Sequence, residues 1–383
     1  MKKLIALCAA LTAVKLIKPI RAHAWFKDTH RDITGKAIAL LEKDNKPKQF
    51  AFFKEYEENI IEGCTEPDNS GDCDEGSGRH YYSYCNPNGR ELEPTAGYYR
   101  NRHGDFSKSS RTMLEENYTS ALCLYKSGET ARAMHVLGRA AHFIEDMSCT
   151  VHVSNIRYMS RPSNVHYAYE KNINTLCKNF TAERFDKRLS KSYEGTSFEA
   201  AANKLIKTSS RFVDTISTLD PKAFSEAAGT MLPIAQQNVM ALLLKFYEDV
   251  QRSDGSNFIV SDKSYTVKNE ASGAVLTVTK KGLVLDGPDK DKEQKLLFKI
   301  YSLGAFGLQT SDTGFVNKKC NGYDYLKAGS EPALFRLAAL GKRRFRITTG
   351  GTEFKKVLTC SKGGSLAIDE FDPQDPAQIW IIS

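Results

Sequence analysis

Apolar residues recur every three or four positions over much of the first two thirds of the chain, a spacing that places them on one face of a helix. A further apolar stretch at residues 232–250 predicts a long helix, with Pro233 tolerated in its first turn. This region therefore predicts an all-α domain. The three helical stripes are Ile33, Ala37, Leu40 and Leu41, then Met134, Leu137, Ala140, Ala141 and Ile144, then Leu205, Ile206, Phe212, Val213 and Ile216.

The pattern changes after residue 250. Residues 251–261 are rich in Ser, Asp, Asn and Gly and indicate a linker, and short β-branched runs separated by glycine turns follow. Aromatic residues open and close three units of about 40 residues each, a repeat that predicts a three-fold, all-β domain. The opening residues are Tyr265, Phe306 and Phe345, and the closing residues are Phe298, Phe335 and Trp380.

The N-terminus has the pattern of a secretory leader. Lys2 and Lys3 precede a mostly apolar run, and residues 22–24 (Ala-His-Ala) fit a small-x-small cleavage site. Cleavage after Ala24 makes Trp25 the first residue of the mature chain. The five basic residues of the leader then leave 49 basic against 46 acidic residues, a net charge of +3. This small excess does not favour a nucleic-acid binder.

Cysteine usage agrees with export. Eight of the nine cysteines follow the leader, an even number that favours disulfide bonds in a secreted protein. Cys64 and Cys73 are the first expected pair, since their bond would close one short loop. Thiolate metal ligands are disfavoured in this context at Cys123, Cys149 and Cys177.

Histidine and carboxylate residues form a pattern typical of a zinc site. His142 and Asp146 are four residues apart, as are His166 and Glu170, so each pair projects from one face of a helix. Two such pairs on neighbouring helices make a rigid platform, and imidazole with carboxylate is a donor set that zinc favours. The other candidates are His30 near the first helix, Asp68 and His80 in the irregular stretch at residues 63–104, and His152.

The ordered set Trp25, His30, Asp68, His80, His142-x3-Asp146-x5-His152 and His166-x3-Glu170 resembles the metal ligands of the zinc-dependent phospholipase C family, over residues 25–250. The resemblance implies three zinc ions and hydrolysis of a membrane phospholipid to diacylglycerol and a phosphorylated head group. One zinc would take Asp68, His80, His142 and Asp146, and a second His152, His166 and Glu170. The third would take the Trp25 amino group and carbonyl, His30 and Asp146. Asp68 is the candidate catalytic residue that orients or deprotonates the attacking water, with a plain ligand role as the alternative.

Two other functions stay open. Single-strand zinc nucleases share the helical fold and a similar site, and the gap of five residues between Trp25 and His30 is typical of them. The fourteen residues from His152 to His166 and the final Glu170 favour the phospholipases. A catalytically inactive adhesin or lectin-like protein is the third candidate. Nucleic acid would be a partner only of the nuclease.

The C-terminal region resembles the ricin-type β-trefoil family, since residues 378–380 (Gln-Ile-Trp) match its Gln-x-Trp element. This resemblance implies a carbohydrate or other cell-surface ligand. The expected organisation is a signal peptide at 1–24, a helical phosphodiesterase domain at 25–250, a linker at 251–261 and a β-trefoil-like domain at 262–383. We expect a secreted protein, with the periplasm as the other location, and a monomer.

Overall fold

The computed structural model describes residues 26–75, 78–84, 99–100, 106–157, 164–253, 255–279, 282–310, 315–319, 322–326, 332–349, 356–372 and 374–383. The predicted leader, its cleavage site and Trp25 lie outside these residues. Eleven helices form the first part of the described chain. They are α1 (Lys27–Lys43), α2 (Pro47–Lys54), α3 (Glu57–Thr65), α4 (Ser110–Lys126), α5 (Thr130–Ser148), α6 (Thr150–Val153), α7 (Val165–Leu176), α8 (Arg188–Ser192), α9 (Glu199–Ser209), α10 (Val213–Ser217) and α11 (Pro221–Gln251).

Helix α5 is the centre of the helical bundle. From Ala133 to its end at Ser148, every residue of the helix except His135 is buried. The burial arises because helices α1, α3, α4, α9 and α11 pack around it. The other predicted stripes also lie largely in this core, as periodicity indicates for helices buried on one broad face. The all-α prediction for this region is confirmed.

The predicted start of the last helix is wrong. Helix α11 begins at Pro221, and the Asp220 side chain caps it by accepting a hydrogen bond from the Lys222 backbone N–H. Pro233 therefore lies inside the helix and not in its first turn. An internal proline removes one helical hydrogen bond. The helix nevertheless continues, because it is buried against its neighbours along most of its length. By length and composition α11 resembles a membrane-spanning helix, but 67% of its most apolar window is buried in the fold.

Helices α3 and α5 cross at a very short distance. A Cβ atom at Gly63 would lie 1.9 Å from the His135 carbonyl oxygen, and one at Gly138 would lie 2.0 Å from the Ile60 carbonyl oxygen. Only glycine on both helices permits this approach. The crossing brings the end of α3, and the turn that follows it, directly over α5.

The second part of the described chain is antiparallel β structure. After β1 (Tyr99–Arg100) and β2 (Phe106–Ser107), which pair within the helical part, the strands all follow residue 262. They are β3 (Lys263–Tyr265), β4 (Val267–Asn269), β5 (Val275–Thr279), β6 (Gly282–Asp286), β7 (Leu296–Ile300), β8 (Phe306–Gln309), β9 (Phe315–Lys319), β10 (Gly322–Leu326), β11 (Leu334–Gly341), β12 (Arg344–Thr349), β13 (Lys356–Cys360), β14 (Leu366–Asp369) and β15 (Trp380–Ile382).

The three predicted repeat units correspond to three equivalent strand pairs. The opening strand pairs with the closing strand in each unit: β3 with β7, β8 with β11, and β12 with β15. The register places Phe306 opposite Phe335 and Phe345 opposite Trp380, and all four are buried in one core. The three-fold, all-β prediction is therefore confirmed.

The Gln-x-Trp element serves this core. The Trp380 ring is fully buried, and its Nε1–H donates to the Leu358 carbonyl at 2.9 Å. The Gln378 amide accepts from the Asp372 backbone N–H and donates to the Glu370 carbonyl, each at 2.9 Å. Both side chains therefore stabilise the end of the third unit and do not face solvent.

The predicted Cys64–Cys73 disulfide is wrong. Both residues are free thiols, as are Cys123, Cys149, Cys177 and Cys360, the other cysteines that the structure describes. Cys64 Sγ lies 3.1 Å from the Ile61 carbonyl inside the α3–α5 crossing, whereas Cys73 Sγ lies 3.0 Å from a guanidinium nitrogen of Arg336. The two side chains enter different surroundings, so closeness in sequence does not bring them together.

Candidate metal centre

Helix α5 supplies the first two candidate ligands. His142 and Asp146 are one turn apart on its buried face, with His142 Nε2 3.3 Å from Asp146 Oδ2. The turn after α3 adds His80, whose Nδ1 lies 2.9 Å from the same Asp146 oxygen and 3.1 Å from His142 Nε2. Asp68, which precedes His80 in the same segment, has Oδ1 3.6 Å from His80 Nδ1.

These separations suit a tetrahedral zinc site. Donors bonded to one zinc ion at about 2.0–2.1 Å lie roughly 3.3 Å from one another. The four donor atoms of the first cluster span 2.9–3.9 Å in the pairs that approach each other, and all four side chains are buried. The residues therefore fit the first predicted ligand set.

A second cluster lies where α6 faces α7. His166 Nε2 is 2.9 Å from Glu170 Oε1, one turn further along α7, and His152 Nε2 reaches the same oxygen at 3.3 Å. Cys149 lies within reach of the same point. Burial raises the pKa of the Cys149 thiol well above its usual value, which keeps this side chain protonated at neutral pH without a metal.

His30 on α1 joins Asp146 and His142 in a third group. Its ring stacks on the His142 ring with centroids 4.1 Å apart, and its Nε2 lies 3.7 Å from Asp68 Oδ2. The predicted terminal ligand, Trp25, lies outside the described residues. The structure thus brings together eight of the nine predicted side chains, each no more than 6% exposed.

Hydrogen bonds to the backbone orient the histidines. His142 Nδ1 donates to the Cys64 carbonyl at 2.8 Å, His152 Nδ1 to the His80 carbonyl at 2.6 Å, and His166 Nδ1 to the Ile156 carbonyl at 2.6 Å. In each ring this leaves Nε2 facing a carboxylate. Such bonds are the usual means by which proteins orient zinc-binding histidines.

The charges of the cluster also suit cations. Burial raises the pKa of Asp146, but His142, His80 and His152 outweigh it and hold that pKa well below its ordinary value. Burial lowers the pKa of His142, and the Asp146 and Asp68 carboxylates reverse this and raise it to about 9. The buried carboxylates therefore favour positive charge at this point, which a metal cation supplies more fully than a proton.

Two buried donor atoms support the same conclusion. Among the described residues, His30 Nε2 and Asp146 Oδ1 form no hydrogen bond, although both are buried. A buried polar atom without a partner is costly unless a ligand satisfies it. Both atoms belong to the group that would hold the third zinc.

Glu145 is a site residue that the sequence analysis missed. Its carboxylate contacts His30 Nδ1 and accepts a hydrogen bond from the Thr34 hydroxyl at 2.6 Å. The side chain is fully buried, and burial raises its pKa to about 8. An acidic residue in the apolar sequence of α5, directly before Asp146, was the signal available.

Tyr81 forms one wall of the second cluster. Its ring stacks on His152 with centroids 4.7 Å apart and planes at 4°, and it is almost fully buried. The stacked ring excludes water from that side of the histidine and limits its rotation.

The fold and the site define a class: a zinc-dependent hydrolase in which a helical bundle holds clustered imidazole and carboxylate donors. A sequence model described as zinc dependent phospholipase C matches residues 29–227, more than half of the chain. The chain belongs to this family, and it is an enzyme of the phosphodiesterase class. The predicted family and enzyme class are confirmed, and the nuclease and adhesin alternatives are not favoured.

The chain is also similar to individual proteins in sequence or in structure. Phospholipase C from Bacillus cereus is 22% identical over 203 residues, which cover 47% of this chain and 68% of that protein. The alpha toxin from Clostridium absonum has a similar structure, with a TM-score of 0.50 and 15% identity over 93% of this chain and 96% of the toxin. A ricin B-like lectin from Macrolepiota procera aligns with 33% of this chain and 97% of its own length, at 17% identity and a TM-score of 0.28.

Proposed function

We propose that this protein is a secreted phospholipase C that uses three zinc ions to hydrolyse the phosphodiester bond of a phosphatidylcholine-like lipid. The observation that carries the proposal is the convergence of buried histidines and carboxylates from four separate segments around one helix. Membership of the zinc-dependent phospholipase C family supports the substrate class.

The ligand assignment follows the three groups of donors. Asp68, His80, His142 and Asp146 would hold the first zinc, and His152, His166 and Glu170 the second. His30 and Asp146 would hold the third together with the Trp25 amino group and carbonyl. Bound zinc supplies Lewis acidity toward the phosphate oxygens and lowers the pKa of a coordinated water to about 7.

Asp68 is the proposed catalytic residue. Its two carboxylate oxygens face different groups, with Oδ1 3.6 Å from His80 Nδ1 and Oδ2 3.7 Å from His30 Nε2. From this position the carboxylate can orient the attacking water and take up its proton. His142 and His80 hold the Asp146 carboxylate in place beside it.

Secretion and processing belong to the same proposal. Cleavage between Ala24 and Trp25 would create the α-amino group that completes the third site, which links export to activation. The first helix of the described residues, α1, begins at Lys27, and His30 lies in its first turn. This position leaves a terminal residue only a short distance from His30 along the chain.

The C-terminal domain is proposed to bind a carbohydrate on a cell surface and so to hold the monomeric enzyme near its membrane substrate. The three-fold arrangement of strand pairs is consistent with a lectin-like domain. Binding would then depend on surface residues of the trefoil, because Gln378 and Trp380 are committed to the core.

A side-by-side assay tests the function. The purified mature protein is given phosphatidylcholine vesicles, sphingomyelin vesicles or single-stranded RNA, each with chelator, without it, and after zinc is restored. We expect phosphatidylcholine hydrolysis that chelator abolishes and zinc restores. Cleavage of RNA with both lipids intact would establish a nuclease, and full zinc content with no hydrolysis of any substrate would establish an inactive relative.

A further inference from the structure

The segment between α3 and α4 carries a buried carboxylate that is not among the predicted zinc ligands. Asp74 lies between Asp68 and His80 in the sequence, and its side chain is completely buried. Each of its two oxygens accepts a hydrogen bond from a different guanidinium group: Oδ2 from Arg139 Nη2 at 2.8 Å and Oδ1 from Arg336 Nη1 at 2.5 Å. Asp74 is therefore a fixed point within the segment that supplies two donors of the first cluster.

Arg139 ties this turn to the metal-binding helix. It lies on α5, one turn before His142, and its guanidinium is fully buried. Besides Asp74 it binds Asp72, and its Nη1 lies 2.9 Å from Glu66 Oε2. Arg139 thus holds the turn at three carboxylates while the same helix presents His142.

Arg336 ties the same turn to the C-terminal domain. It lies on β11, and its side chain leaves the sheet to reach both Asp74 and Cys73, with Nη2 3.0 Å from Cys73 Sγ. The residue is 2% exposed, so this charged contact is closed to water. Removing one partner of a buried ion pair leaves the other as an uncompensated buried charge, which is strongly destabilising.

The pKa of Asp74 reflects both contacts. Burial acts to raise it, and Arg336 followed by Arg139 outweighs burial and holds it well below the ordinary range. The carboxylate is ionised throughout the neutral range. Losing Arg336 would leave Asp74 with half of its cationic partners in a place that water does not reach.

We propose that the C-terminal β domain helps to hold the metal ligands in place. Arg336 is a positioning residue: it holds Asp74, and Asp74 in turn fixes the distances of Asp68 and His80 from α5. This inference rests on the proposed first zinc site. It assigns the β domain a role in retaining metal that is separate from any role in binding a surface. The route is short: Asp74 is six residues from each of Asp68 and His80.

The test uses the full-length mature protein and Arg336→Met, which removes the guanidinium and keeps most of the side-chain volume. Thr119→Val is the matched control. Thr119 Oγ1 accepts a hydrogen bond from the backbone N–H of Ala339, on the same strand as Arg336, at 3.0 Å. This control weakens the domain interface without touching the turn.

Zinc content, the rate of zinc transfer to a coloured chelator, and the visible spectrum of cobalt-substituted protein are measured for each form. Loss of a residue that supports ligands typically weakens metal affinity about 10–100-fold. We expect Arg336→Met to release zinc about tenfold faster and to change the cobalt spectrum. Thr119→Val should release zinc at the wild-type rate and keep the wild-type spectrum.

Two further variants separate a positioning role from a folding defect. Arg336→Lys keeps the charge without the fork that reaches Asp74 and Cys73, and we expect partial rescue of metal retention. The double variant Asp74→Asn with Arg336→Met removes both charges together, which spares the fold an unpaired buried charge. Because it also removes the tether, we expect fast zinc release from a folded protein.

The results distinguish this inference from the proposed function. Wild-type protein without zinc at these ligands would refute the proposed site itself. Wild-type protein with full zinc, and Arg336→Met with the same release rate and spectrum, would refute only the role of Arg336. Equal acceleration in Thr119→Val would also overturn it, since general loosening of the interface would then suffice.

Discussion

The crossing of α3 and α5 predicts a large effect for the smallest substitution, Gly138→Ala. The added Cβ would lie 2.0 Å from the Ile60 carbonyl oxygen and 3.0 Å from the Cys64 backbone nitrogen. Both neighbours are backbone atoms, so no side chain can rotate away. The two helices must separate by about 1 Å, and the Cys64 carbonyl that holds His142 Nδ1 moves with α3.

The magnitude follows from two opposing contributions. Forcing extra volume into a packed core costs about 1–3 kcal/mol, and a backbone clash belongs at the upper end of that range. Alanine in place of glycine within a helix returns roughly 0.5–1 kcal/mol. The net loss is about 2 kcal/mol, which lowers the melting temperature of a helical domain of this size by about 4–8 °C.

Gly35→Ala is the matched control. Gly35 lies in α1, and its added Cβ would meet only the Ile61 Cδ1 atom at 3.9 Å, an ordinary contact. The same chemical change should therefore stabilise the protein by roughly 0.5–1 kcal/mol. Thermal unfolding by circular dichroism and zinc content by atomic emission are measured for both variants. We expect Gly138→Ala alone to lose stability and zinc.

The opposite ranking would refute the reasoning. If Gly138→Ala melts at or above the wild-type temperature with a full zinc content, the two helices do not cross as closely as described. Loss of stability with full zinc would keep the packing argument and reject the link through the Cys64 carbonyl.

Three further predictions concern the metal ligands. His142→Ala should abolish activity and lower the zinc content, whereas His135→Gln on the same helix should leave both unchanged; metal analysis of the two variants checks this. An extra residue retained ahead of Trp25 should remove the third zinc and most activity, and full activity of that form would count heavily against the assignment. Glu145→Ala should free the His30 ring and lower the zinc content toward two ions per chain. Glu145→Gln, which keeps a hydrogen bond to His30, should retain more zinc than Glu145→Ala. Equal zinc content in the two variants would exclude a role for the contact between Glu145 and His30.

Local rules predicted most of the architecture. The helical stripes around Ile33, Met134 and Leu205 became buried faces, since periodicity reports which side of a helix meets the core. The repeating aromatic residues likewise predicted the three strand pairs of the β domain, because each repeat places an opening and a closing strand next to each other. Pro233 shows the limit of local rules, because burial on several sides carries α11 through a residue that would end an isolated helix.

The candidate ligands could also be identified from the sequence. The two helical pairs each have a spacing of four residues, and burying His or Asp costs free energy unless a partner satisfies the side chain. What the spacing cannot specify is how segments far apart in the chain approach each other. Cys64 and Cys73 illustrate this, since they are only nine positions apart but have different neighbours. Cys64 lies at the α3–α5 crossing, whereas Cys73 lies at the interface with the β domain.

By itself the sequence determined the element types, the repeat and which residues are candidate metal ligands, since these depend on short-range periodicity and on side-chain chemistry. Only the tertiary structure decided the contacts that hold the donors in place. The bond from His142 to the Cys64 carbonyl, the support of His30 by Glu145 and the reach of Arg336 to Asp74 each join distant segments. Such contacts depend on how whole helices and sheets pack, and no local pattern carries that information.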